Sequence, residues 1–419
     1  MTRGTIPGMT NEITLRNPRP DGLHEFWQPL ADAFAESLTN EEIEAERPLL
    51  DLDRFVGAFD GEKQVGTAGA YTFRLTVPGG EVGASGITAV AVRPDYRRRG
   101  ILRQMMDWLL EDARKRGEAV AVLTASEAAI YQRFGFGQAS TTSSFTMDSA
   151  LAEFGEPVDL GPGARIRMVD TDEATELFAA IYDRVRPGIP GALDRSEPKW
   201  RLWLVADAEW MRRGQGIKYM AVIEVDGEPR GYAIYRIENG WGPAGPSSTM
   251  NVIEVTGVDP AAELALWQWL LSMDLVRTIV GRRGPVPHPL QHWLLEPRRM
   301  SLTINDGLWL RILDLPEALS ARRYVGSGTL VIDVADDMIE SNAGRWELRV
   351  DDGTAKVSRT TAAPDLELDI GTLAAAYLGG FRFVDLGVAG RVRECRPGVL
   401  QTADALFTPP RAPWNSTPF

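Results

Sequence analysis

One pattern occurs twice in this chain and limits what it can fold into. Asp60-Gly61-Glu62 reads as a turn, Gly69-Ala70-Tyr71 follows, and Ala91-Val92-Arg93-Pro94 leads into a helix bearing Met106, Trp108 and Leu109. Asp226-Gly227-Glu228, Gly231-Tyr232-Ala233 and Gly257-Val258-Asp259-Pro260 repeat that order and lead into a helix bearing Leu266, Trp267 and Leu270. From turn aspartate to proline the distance is 34 residues in both copies. Turn, strand and helix recurring in register predict a duplicated α/β fold.

The first copy is the more fully punctuated. Arg54–Asp60 and Val65–Val77 read as strands around Gly61-Glu62-Lys63, and Pro78-Gly79-Gly80 turns the chain again. Ile87–Val92 is an apolar run of strand length, and a helix is predicted from Arg98 to Lys115. Its Leu102, Met105, Met106, Leu109, Leu110 and Ala113 fall at the spacing of one buried face. Ala119–Leu123 should be a strand, Glu127–Phe134 a short helix, and Thr141–Met147 a strand closing the same sheet. Beyond the proline-rich Gly284–Pro289 and Pro297 the pattern changes. Trp309–Leu313, Gly328–Val334, Trp346–Val350 and Leu366–Ile370 read as short alternating strands, with a hairpin turn at Asp351-Asp352-Gly353. Helical pieces at Pro316–Arg323 and Thr372–Leu378 complete a third, α+β domain. The expected division is 1–155, 156–298 and 299–419.

Composition excludes several functions. Fifty-eight acidic against 45 basic residues leave a net charge of −13, a poor basis for general nucleic-acid binding. That field attracts cationic substrates, or it simply keeps a large chain in solution. Cys395 is the only cysteine, and the three histidines are scattered, with prolines 285, 287 and 289 breaking any helix that would pair His288 with His292. No metal site is expected. No run approaches the ~18–20 apolar residues of a membrane helix, and the start, MTRGTIPGMTNEITLRNP, lacks a signal core. A soluble cytoplasmic protein is expected.

The two copies differ where chemistry would sit. The first enters its helix through Tyr96-Arg97-Arg98-Arg99-Gly100-Ile101-Leu102, the second through Ala261-Ala262-Glu263-Leu264. A helix start offers about four unpaired N–H groups, a glycine lets a phosphate approach, and arginines add charge. A basic first turn opposes the helix dipole, so these three arginines point to an anionic ligand such as a pyrophosphate. No Gly-x-x-x-x-Gly-Lys-Ser/Thr or Gly-x-Gly-x-x-Gly motif is present.

The run Val90-Ala91-Val92-Arg93-Pro94-Asp95-Tyr96-Arg97-Arg98-Arg99-Gly100-Ile101-Leu102 resembles the acetyl-coenzyme A motif of GNAT N-acetyltransferases, departing from it at Leu102, where the family has a small residue. With Ser126-Glu127, Tyr131-x-x-Phe134-Gly135-Phe136-Gly137 and a terminal Phe419, the whole chain resembles the enhanced intracellular survival (Eis) family. The resemblance implies an α/β (α+β) fold of tandem GNAT-like domains, the second without cofactor, plus a sterol-carrier-protein-like domain whose tail returns to the active site. It implies that Val90, Ala91 and Val92 pair with the pantetheine arm, and that Arg98, Arg99, Gly100, Ile101, Leu102 and Arg103 wrap the pyrophosphate. Ser126 and Glu127 would line the thioester, Tyr131 would be the general acid, and the α-carboxylate of Phe419 the general base. It also implies acetyl-CoA as co-substrate, polycationic amine acceptors (aminoglycosides, and lysine amines in some cases), and a homohexamer, with no nucleic acid or integral membrane partner.

Elementary chemistry accommodates these roles. A phenol with a pKa near 10 can protonate a departing thiolate. The free α-carboxyl, with a pKa near 3.5, is a weak base unless desolvated or assisted by a water. Trp414, Pro418 and Phe419 supply apolar anchors, and prolines 409, 410, 413 and 418 reduce the entropy lost when the tail docks. Phe26 and Trp27 are candidates for lining an amine pocket. A non-enzymatic carrier of coenzyme A or an apolar ligand, and an acyltransferase with another donor or acceptor, are the competing readings.

Overall fold

The computed structural model describes residues 12–419, so the reading of the extreme N-terminus as lacking a leader lies largely outside the described residues. The chain forms two compact units, Met1–Thr72 with Ser85–Gly117, and Phe73–Ala84 with Glu118–Phe419.

In the first unit, β1 (Ile13–Arg16) is followed by helices α1 (Leu23–Phe34) and α2 (Asn40–Glu46), then β2 (Phe55–Asp60), the first part of β3 (Lys63–Val77), the latter part of β4 (Gly80–Val92), and α3 (Ile101–Lys115). The strands lie in the order β1-β2-β3-β4. β1 pairs antiparallel with β2, Ile13 opposite Asp60, and β2 with β3, Phe55 opposite Gly69. α3 buries Ile101, Met105, Met106, Leu109, Leu110 and Ala113, the predicted face with Ile101 in place of Leu102. A buried Arg54 links three elements, donating to Thr72 at 2.5 Å and Ser85 at 3.0 Å and lying 3.6 Å from Asp112 of α3.

The helix starts three residues later than predicted. Arg98 (φ 66°) and Gly100 (φ 80°) are left-handed, so no right-handed helix can run through them. The arginines therefore occupy a loop ahead of α3 rather than its first turn.

The second unit opens with β5 (Val120–Thr124), α4 (Ala128–Gln132), β6 (Gly137–Gln138) and β7 (Thr141–Asp148). β8 (Ala164–Met168), α5 (Thr171–Val185) and the short α6 (Glu197–Lys199) and α7 (Glu209–Arg212) precede the repeat of the sequence motif. That repeat is a hairpin of β9 (Lys218–Val225) and β10 (Glu228–Glu238), a small ribbon of β11 (Trp241–Gly242) and β12 (Gly245–Pro246), then β13 (Ser248–Gly257) and α8 (Pro260–Leu271). β14 (Val276–Gly284), α9 (Leu290–Trp293), β15 (Thr303–Asp306) and β16 (Leu308–Ile312) follow. The central sheet has the order β15-β7-β14-β13-β10-β9-β8, with β13 and β14 parallel.

Two strands depart from expectation. β7 pairs with β14 and β15 rather than closing the first sheet. Its Phe145 and Met147 belong to the core of the second copy, and Gly281 leaves the space that the Phe145 ring fills, since a Cβ there would lie 2.2 Å from it. β16, read as part of the third domain, pairs antiparallel with β5 and β6. All five of its residues are buried, the signature of a strand with neighbours on both edges and covered faces.

The remaining chain holds α10 (Leu315–Ala321), β17 (Gly328–Ala335), β18 (Gly344–Asp351), β19 (Thr354–Arg359) and β20 (Leu366–Asp369), then α11 (Ile370–Tyr377), α12 (Phe383–Val388), β21 (Val392–Glu394) and α13 (Val399–Phe407). Its sheet has the order β19-β18-β17-β20-β21. Among the described residues no helix is long and apolar enough to cross a membrane.

Arg311 of β16 is fully buried, and one of its nitrogens lies 2.7 and 2.8 Å from the two Asp336 oxygens. Asp336 also accepts from the Asn342 amide and from the backbone N–H of Met338 and Ile339. Removing one partner of a buried pair strands the other charge. Asp336→Ala should therefore cost about 3–5 kcal/mol and lower the melting temperature by several degrees in calorimetry.

Candidate active site

The cofactor-binding candidates Val90–Arg103 all fall in the first unit, and Ser126, Glu127, Tyr131 and Phe419 in the second. In the first unit, Ala89 (φ 55°) interrupts the regular course of β4 just before Val90-Ala91-Val92. Val90 and Val92 are half-buried and Ala91 is buried. Arg93 is tied down by its N–H to Val65 O at 2.9 Å and its guanidinium to Asp32 at 2.5 Å. Tyr96 donates to Asp60 at 3.0 Å, and the Arg99 guanidinium lies 4.6 Å from its ring centre.

Arg97, Arg98, Arg99, Gly100 and Arg103 are exposed, and Arg97, Arg98 and Arg103 face no carboxylate within ion-pair distance among the described residues. Among the described residues no side chain caps α3, and nothing lies within 4 Å of where a Gly100 Cβ would stand. Glycine is needed there for its positive φ rather than for space. Free backbone donors, the positive end of the helix dipole and unpaired guanidiniums suit a ligand carrying several negative charges.

The second copy has filled the corresponding position with its own carboxylate. Asp259 caps α8, accepting from Ala262 N–H at 2.9 Å, Pro260 follows it, and Arg230 pairs with Asp259. Near this end of β13 and β14 a cavity of about 40 Å³ is bordered by Glu254, Glu263, Trp267, His288 and the tail residues Arg411 and Trp414. Burial pushes the Glu263 carboxyl up to about 7 and the His288 imidazole down to about 4. His288 is a neutral core histidine between Phe145 and Trp267.

Tyr131 lies on α4, whose N-cap is Glu127. Its carbonyl accepts from Phe134 and Phe136 N–H, and the left-handed Gly135 (φ 77°) lets the chain fold back so that the Phe136 ring packs edge-on against it. Burial, reinforced by the Glu127 charge, raises the phenol's pKa, so the hydroxyl keeps its proton at neutral pH. Ser126 and Glu127 are exposed.

The C-terminal tail is ordered by specific contacts rather than frayed. Trp414 donates its N–H to Pro190 O at 2.8 Å and its indole N–H to Arg283 O at 2.7 Å. Gly191 (φ 92°) lets that backbone approach, because a Cβ would lie 3.1 Å from Trp414 O. The Phe419 ring meets Phe73 edge-on at 5.2 Å, and Lys199 Nζ sits 3.6 Å from the centre of the Phe73 ring.

Residues 14–139 and 191–312 match models of the acetyltransferase (GNAT) domain, and 315–416 match the sterol carrier protein domain. An uncharacterised N-acetyltransferase of Streptomyces avermitilis is 39% identical over 411 residues, 97% of this chain and 99% of that protein. N-acetyltransferase Eis of Mycobacterium tuberculosis is 35% identical over 410 residues, 94% of this chain and 96% of that protein. The crystal structure of Eis1 from Mycobacterium abscessus matches with a TM-score of 0.84 at 32% identity, covering 98% of this chain and all of that one. The chain belongs to the Eis family of GNAT N-acetyltransferases. It is an acetyltransferase built from two GNAT domains and a sterol-carrier-protein-like domain, as the family resemblance implies.

Within this Eis-family chain, Phe26 and Trp27 are 2% and 7% exposed and pack on Phe55, so they are core residues of the first unit. Arg195, Glu254 and Thr417, all buried near the tail, escaped sequence reasoning because no local motif marks them. The Glu263 carboxyl, near 7 when folded and about 4.3 when unfolded, costs nothing below about pH 4.5. The cost grows as pH rises and is complete above 7. Glu263→Gln should therefore stabilise the protein by on the order of 3 kcal/mol at pH 8 and by little at pH 5, read as melting temperatures at the two pH values.

Proposed function

We propose that the chain transfers the acetyl group of acetyl-CoA directly to amines of polycationic acceptors, aminoglycoside-like molecules and lysine amines among them. The observation that carries the cofactor assignment is the contrast between the helix starts: α3 is uncapped behind unpaired arginines, whereas α8 is capped by Asp259. In this reading Arg98, Arg99, Gly100, Ile101, Leu102 and Arg103 hold the pyrophosphate, and Val90-Ala91-Val92 hold the pantetheine arm. Ser126 and Glu127 lie beside the thioester, and the second GNAT domain binds no cofactor. Function divides along 1–155, 156–298 and 299–419, with β7 and β16 exchanged between sheets.

The Phe419 α-carboxylate accepts a proton from the acceptor ammonium, directly or through a water. The amine lone pair then attacks the thioester carbonyl, so that a C–N bond forms, the C–S bond breaks and the nitrogen releases its second proton to water. Tyr131 gives its proton to the departing thiolate, a role that its raised pKa supports because the phenol stays protonated until charge develops. The net charge of −13 supports a cationic acceptor. The same reading includes a cytoplasmic homohexamer, which sedimentation of the purified protein tests.

With tag-free protein, thiol release from acetyl-CoA should depend on an added aminoglycoside, with product mass shifts of one or more acetyl groups. Silence across a panel of amines, with coenzyme A still raising the melting temperature, would replace the acceptor class. Silence without stabilisation would remove the cofactor assignment. Tyr131→Ala should lower kcat by about 100-fold or more and leave the KM for acetyl-CoA near its original value. Arg98→Ala should raise that KM by about tenfold, the loss of one charge-assisted hydrogen bond, with kcat little changed.

A further inference from the structure

The Arg195 guanidinium has no exposed side-chain surface and spends every nitrogen on two partners, a carboxylate and the chain end. Nη1 and Nη2 donate to the Glu254 oxygens at 3.0 and 2.9 Å. Nη2 also donates to Ser416 Oγ at 2.8 Å, and Nε to Thr417 Oγ1 at 2.9 Å. The guanidinium lies 4.0 Å from the Tyr182 ring centre and 4.7 Å from that of Trp200. Glu254 is held in turn by the Tyr232 hydroxyl.

A buried ion pair is a poor way to gain stability, because apolar residues of the same volume usually do as well or better. What this pair supplies is a fixed fork of donors aimed at the tail. Thr417 is 1% exposed, its N–H donates to Asn415 Oδ1, its O accepts from Asn415 Nδ2, and its hydroxyl lies 3.4 Å from that of Tyr182. Only Pro418 separates it from Phe419, and a proline φ is fixed near −65°. Few free torsions therefore stand between the anchored Thr417 and the terminal carboxylate.

We propose that Arg195, set by Glu254, is a positioning residue that clamps Ser416 and Thr417 and so holds the Phe419 carboxylate in one place. The proposal rests on that carboxylate being the general base. A displacement of about 1 Å in a reacting group can cost about 100-fold in rate. The clamp thus bears on turnover rather than on cofactor affinity.

Arg195→Ala would leave Glu254 buried and unpaired and would endanger folding, so the test removes the two hydroxyl acceptors instead. In full-length, tag-free protein, Ser416→Ala and Thr417→Val are combined, which keeps the Arg195–Glu254 pair. Three quantities are measured: deuterium uptake by the C-terminal peptide, kcat at saturating acetyl-CoA with an aminoglycoside acceptor, and the KM for acetyl-CoA. The expected result is tail exchange at least tenfold faster, kcat lower by about 10–100-fold, and an unchanged KM. Wild-type exchange together with wild-type kcat would overturn the clamp. Fast exchange with wild-type kcat would overturn the base role of Phe419, and the positioning role with it.

Discussion

A strand with every residue buried cannot stand at an edge, and β16 imposes that constraint on the second unit. Leu308–Ile312 has neither a polar face to give to water nor a backbone edge it can leave unpaired. It is satisfied by β5 on one side and β6 on the other. With that place taken, β7 joins the central sheet beside β14, where Phe145 and Met147 complete the second GNAT core. Arg311 then enters the protein on β16 and meets Asp336, tying the sterol-carrier-protein-like region to the GNAT strands through one buried pair. GNAT and sterol-carrier-like parts are thus interleaved in hydrogen bonds and in charge, not strung together by linkers.

The duplicated GNAT unit shows how the same strand-to-helix junction can be left open or capped from within the chain. Both copies run from a strand through a proline-containing turn into a helix. In the first, a left-handed Gly100 ends the loop and the helix N-terminus stays open among unpaired arginines. In the second, Asp259 supplies from within the chain the negative charge that the helix dipole favours, and Arg230 neutralises it. A capped helix gains local stability and gives up the exposed donors that a phosphate would use. The cavity beside it is lined in part by Arg411 and Trp414 of the tail.

Much of this was legible in the residues. The turn signals at Asp60-Gly61 and Asp226-Gly227, the apolar spacing of α3 and the strands read at Gly328–Val334 and Trp346–Val350 appear where pattern places them. The start of α3 was not legible, because three arginines and a glycine give no propensity signal that separates a left-handed loop from a first helical turn. Phe26 and Trp27, read as candidates for an amine pocket, are instead buried and pack edge-on against Phe55. Arg195 and Glu254 are 59 residues apart and carry no motif, so nothing local marks them as partners of the chain end.

The sequence by itself determined the duplication, the turns, the apolar face of α3, the basic run that precedes it and the family motif. Each of these is written in short-range periodicity, in turn chemistry or in a contiguous motif. Only the tertiary structure decided which sheet each strand joins, which arginines are consumed by ion pairs, and how the last residues are held. Those outcomes depend on burial and on partners far apart in the chain. A largely apolar five-residue strand reads the same in any sheet, and an arginine reads the same whether it faces solvent or a carboxylate 59 residues away.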